Sequence, residues 1–68
     1  MEKKFVQPQL NLRRVMIRKN VNDNDLAQLV GISRTSINRI INGHSSPSLE
    51  RLFQIADVLE VSFFDLFD

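Results

Sequence analysis

Between Asn22 and Asn42 the chain is punctuated so closely that few backbone paths are open to it. Asn22 is a strong helix N-cap, and Asp25 three residues on completes a capping-box pattern with Asp in place of Glu. Leu26, Ala27, Leu29 and Val30 then supply a short apolar face. Gly31 ends it, at a point where a positive φ is cheapest for glycine. Ser33 restarts a helix at once, with Ile37, Ile40 and Ile41 on one side, and Asn42-Gly43 stops it. Two short helices joined by a tight turn follow. Ala27 falls where the second of them crosses closely, so a larger side chain there would push the pair apart.

The same grammar runs outward in both directions. From Gln9 the pattern is helical: Leu12, Val15 and Met16 form a buried stripe, while Arg13, Arg14, Arg18 and Lys19 fall mostly on the other side. Asn20 is the stop, since Asn tolerates left-handed backbone. After a polar loop from His44 to Pro47, Ser48 caps a helix whose expected apolar face is Leu49, Leu52, Phe53, Ala56 and Leu59. Ser62 with Asp65 opens a last short helix containing Phe63, Phe64, Leu66 and Phe67. No segment carries a convincing strand pattern. The predicted fold class is all-α, five short helices in one domain over residues 9–68. Residues 1–8 read as a basic arm ending at Pro8, with Phe5 and Val6 able to pin part of it down.

Sixty-eight residues make at most one domain, and without cysteine neither a disulfide nor a thiolate metal site can staple it. A compact helical core fits such a chain; a large catalytic cleft does not. The net charge of +1 hides a division. Residues 1–43 sum to +5, whereas residues 44–68 set Arg51 against Glu50, Asp57, Glu60, Asp65 and Asp68, for −4. Such polarity points one end at a polyanion, the alternative being a merely solvated basic face. No apolar run is long enough to span a membrane, and MEKKFVQPQL lacks the apolar stretch of a signal peptide. The expected location is the cytoplasm.

The stretch DNDLAQLVGISRTSINRIIN resembles the phage repressor and Cro-like helix-turn-helix family, also called the xenobiotic-response-element family. The likeness extends from about Gln9 to Phe67. It rests on Leu26-Ala27, Val30-Gly31-Ile32-Ser33, Ile37, Gly43, Pro47-Ser48, Leu49, Leu52, Ile55-Ala56, Leu59, Val61-Ser62 and Leu66 in order. The resemblance implies a lambda-repressor-like fold whose third helix reads bases in the major groove of double-stranded DNA. By position it puts Arg34, Thr35 and Arg39 among the base-reading residues, with Ser33, Ser36 and Asn38 beside them. The chemistry agrees: arginine donates bidentately to guanine O6 and N7, and a threonine methyl can touch that of thymine. Ile37, Ile40 and Ile41 are excluded, because their face is needed for the core. Asn22, Asn42, His44 and Ser45 fall near positions the family uses for phosphate, and Arg13, Arg14, Lys3 and Lys4 are further phosphate candidates. His44 has no second histidine or cysteine that would make it a metal ligand.

Two departures stand out. Many relatives carry a phosphate-anchoring glutamine where this chain has Asp23, and an anion is unfavourable there, so Asp23 reads as a helix-dipole residue outside the DNA site. Many relatives also pair an arginine in the first helix with a glutamate at the end of the third. Here both are apolar, Met16 and Ile41, which are expected to pack together.

The leading reading is a sequence-specific, repressor-like transcriptional regulator without a cofactor or small-molecule effector. The crowded aromatic end, Phe64 and Phe67 above all, suggests a homodimer interface. The other class is an antitoxin or adaptor using the same fold for protein contacts. An enzyme is not expected: there is no nucleophile–base pair, no ligand cluster and no phosphate-cradling glycine loop.

Overall fold

The computed structural model describes residues 9–67. The arm over residues 1–8, with Lys3 and Lys4, and the terminal Asp68 lie outside the described residues. Four α-helices follow one another: α1 Leu12–Lys19, α2 Asp23–Val30, α3 Arg34–Ile41 and α4 Leu49–Val58. A 3-10 turn, Phe63–Leu66, takes the place of the fifth helix. The only extended pairing among the described residues is an isolated antiparallel bridge between Leu10 and Phe67.

Each start is set by one side chain. Asn11 Oδ1 accepts from the Arg14 amide, Asn22 Oδ1 from Asp25, Ser33 Oγ from Ser36 and Ser48 Oγ from Arg51. Asn22 and Ser62 complete capping boxes with Asp25 and Asp65. Each stop is made the same way. A left-handed residue follows every α-helix: Asn20 (φ 58°), Gly31 (85°), Gly43 (77°) and Glu60 (58°). The next amide then reaches back to a carbonyl five residues earlier, as Val21 to Met16, Ile32 to Ala27, His44 to Arg39 and Val61 to Ala56. This is the Schellman closure.

The core is wholly apolar among the described residues. Leu12, Val15, Leu26, Ile37, Ile55 and Leu66 are its largest sealed side chains, and every helix contributes. Ala27 is buried, as the close crossing requires, and α2 packs on both α3 and α4. Met16 is in the same cluster, and Ile41 is half-buried against that cluster as a whole. Among the described residues no helix is long and apolar enough to cross a membrane.

Three expectations are corrected. Helix α1 starts at Leu12, not near Gln9, because Leu10 is drawn into the bridge with Phe67 and the Asn11 amide bonds to the Leu66 carbonyl at 2.7 Å. The inward face of α4 is Leu52, Ile55, Ala56 and Leu59, while Leu49 and Phe53 are 61% and 53% exposed. Spacing permits either stripe; contact with α2 and with the 3-10 turn selects the one centred on Ile55. Leu29, counted as part of the α2 face, is exposed as well.

Candidate nucleic-acid interface

Helix α3 is split lengthwise. Ile37 and Ile40 are buried against the domain, and Arg34, Thr35, Ser36 and Arg39 are exposed. Asn38 is half-buried between them. The division follows from periodicity: Arg34, Thr35, Asn38 and Arg39 are related by three- and four-residue steps and share one side. Four hydrogen-bonding side chains thus stand on one helix face that the core does not use.

Ser33 and Ser36 sit at the first turn but are partly committed. Ser33 Oγ accepts the Ser36 amide at 3.0 Å and donates to Ser36 Oγ at 2.9 Å. Their exposed hydroxyls therefore start the helix and present its N-terminal end together.

The candidates for phosphate fall in several settings. Arg13 Nη2, on α1, donates to Asn42 Oδ1, just beyond α3, at 3.4 Å. Arg39 Nη2 reaches the His44 carbonyl at 3.4 Å, tying α3 to the loop that carries Ser45. Asn42 and Ser45 border an open cleft of about 470 Å³ that also meets Leu10 and Phe67. Asn22 uses Oδ1 for its cap, leaving Nδ2 as the donor end. Arg14 has a different setting: its Nη2 donates to the carbonyls of Asp65 and Phe67, both at 3.1 Å. It clamps the C-terminal segment onto α1.

Two further contacts escaped the sequence reading. Asp23 Oδ2 lies 3.6 Å from Arg34 Nε, so the residue set aside as a dipole partner touches the α3 face. The available signal was opposite charge at the first positions of two helices joined by a tight turn. The other is Gln54 on α4, whose Nε2 donates to the Val30 carbonyl at 2.9 Å while its Oε1 accepts from Arg51 Nη1 at 2.7 Å. This bond spans 24 positions and has no local signature.

In the C-terminal segment, Phe63 is the hub of an aromatic group. It stacks on Phe53 with centroids 4.5 Å apart, meets Phe64 edge-on at 5.6 Å and tilts against Phe67 at 5.3 Å. Phe64 remains 80% exposed, whereas Phe67 is half-buried.

Comparison with known proteins agrees with the helical fold. A transcriptional regulator from Listeria innocua superposes with a TM-score of 0.77 at 22% identity, over 91% of this chain and 60% of that one. At 34% identity, an HTH_3 family transcriptional regulator from Vibrio cholerae gives a TM-score of 0.71, over 78% of this chain and 30% of its own. The chain therefore spans less than two thirds of either relative. No curated protein sequence matches it. The profile of the helix-turn-helix family HTH_3 matches residues 12–66, and the chain belongs to that family.

Proposed function

We propose that the chain is a sequence-specific, double-stranded-DNA-binding transcriptional regulator, repressor-like, with α3 in the major groove. The observation that carries this reading is the free face of α3, where Arg34, Thr35, Asn38 and Arg39 project opposite the buried Ile37 and Ile40. Arg34 and Arg39 can each donate two bonds to guanine, Thr35 can meet a thymine methyl, and Asn38 can pair with adenine. Ser33 and Ser36 flank them. Arg13, Asn22, Asn42, His44 and Ser45 contact phosphates along the rim. Arg14, held by two carbonyls, is left out of this set. The regulator titles of the two structural relatives support the reading.

The protein acts without an enzymatic step, a cofactor or a small-molecule effector, in the cytoplasm, and binds as a homodimer through its aromatic end. The exposed Phe64 and Phe53 support that assembly. Two α3 helices about 34 Å apart would then meet successive turns of one duplex face. The same exposed aromatics favour the second reading, an antitoxin or adaptor whose contacts are with protein.

Selection of binding sites from a random DNA pool tests both. An enriched, two-fold symmetric sequence is expected. A pool that stays random would overturn DNA reading and leave the adaptor. An enriched but asymmetric short site would remove the dimer.

A further inference from the structure

Among the described residues, the acidic side chain of Asp23 forms an ion pair with Arg34. Its carboxylate is held at both oxygens. Oδ1 accepts the Asn24 amide at 3.0 Å, and Oδ2 faces Arg34 Nε at 3.6 Å. The Asp23 side chain is 32% exposed and that of Arg34 is 66% exposed, so the carboxylate is the more enclosed partner. The contact is with Nε. It leaves Nη1 and Nη2 as an outward pair of donor groups, the end of the guanidinium that can grip two acceptors at once.

Resting on the proposed DNA-reading role of α3, we infer that Asp23 is a specificity-determining positioning residue: it tethers Arg34 by Nε and aims Nη1 and Nη2 at a guanine edge. An untethered arginine on this face would be free to swing to phosphate, which adds affinity but carries no sequence information. The tether removes that option before DNA arrives. It also sets a negative charge near the duplex, which lowers affinity for every sequence. Asp23 thus trades affinity for discrimination. The effect is a few-fold, because exposed ion pairs shift equilibria by up to about fivefold.

The experiment measures the full chain and its Asp23→Asn, Arg34→Ala and double variants. Each is titrated against the site enriched from a random pool, against every single-base change of that site, and against unrelated duplex. Arg34→Ala identifies the base position that Arg34 reads. Asp23→Asn is expected to discriminate about two- to fivefold less at that position, unchanged elsewhere, and to bind unrelated duplex about two- to fivefold more tightly. In the Arg34→Ala background it should alter no base preference. Thermal unfolding checks the fold, and Asp23→Ser, which also suits a first helical turn, replaces Asn if that variant melts early.

Equal tightening on all sequences would make Asp23 background charge alone, and equal weakening on all of them would make it structural; either overturns the inference. A preserved base preference on a selected site overturns the inference and leaves DNA reading intact. A wild-type chain that enriches no sequence removes both.

Discussion

Gln54 Nε2 donates to the Val30 carbonyl at 2.9 Å, so a residue of α4 closes the end of α2, just before the turn into α3. The bond is partly buried and ties the α2–α3 pair to the rest of the domain. Gln54→Leu removes the donor and leaves that carbonyl short of a partner. The expected loss is about 1 kcal/mol, read from the midpoint of urea unfolding. Arg51→Ala, which removes only the exposed contact behind Gln54, should cost less than half as much.

The left-handed stops predict opposite effects at different positions. Glu60 holds φ 58° with a side chain that disfavours it, so Glu60→Gly should stabilise the fold by about 1 kcal/mol. Gly31→Ala should destabilise it by about the same amount. A Cβ at Gly31 meets nothing within 4 Å, so this cost is purely conformational, and Gly31→Asn should recover much of it. Thermal melts of the three variants check the set.

Met16 and Ile41 belong to one apolar region, with Met16 buried and Ile41 half-buried against the core. Ile41→Glu alone should cost more than about 1 kcal/mol, because it brings a charge to that region without a partner. Met16→Arg combined with Ile41→Glu should recover at least about 0.5 kcal/mol of the summed single losses in a double-mutant cycle. Additive losses would show that the two side chains do not share a contact.

DNA titrations should separate two classes of arginine. Arg34→Ala should lose about 1–3 kcal/mol on the preferred site and relax one base position. Arg13→Ala should weaken all sequences alike and lower the salt slope by about one unit. A uniform loss for Arg34→Ala would move it to the phosphate class.

The boundaries of α2 and α3 and the start of α4 were legible because capping is local chemistry. Asn22, Ser33 and Ser48 each satisfy an amide three residues on, and Gly31 and Gly43 take up backbone that other residues resist. Glu60 stops α4 in the same geometry but carries none of the usual composition, so that stop was silent. The inward face of α4 was misassigned at Leu49 and Phe53 because an apolar residue every third or fourth position cannot say which neighbour it meets. The last helix narrowed to a 3-10 turn. The outward face of α3 was legible through the family resemblance, with Ile37 and Ile40 set aside for the core. The Asp23–Arg34 and Arg14–Phe67 contacts were not, since each depends on how one element docks on another.

The lengthwise split of α3 has a consequence for how such a protein can change. The side chains that anchor the helix to the core are Ile37 and Ile40, on the side away from Thr35. Thr35 and Asn38 take no part in the buried core. Substitution at these positions moves along a neutral surface of the stability landscape, so the outward face can be rewritten many times over while the scaffold beneath it stays fixed.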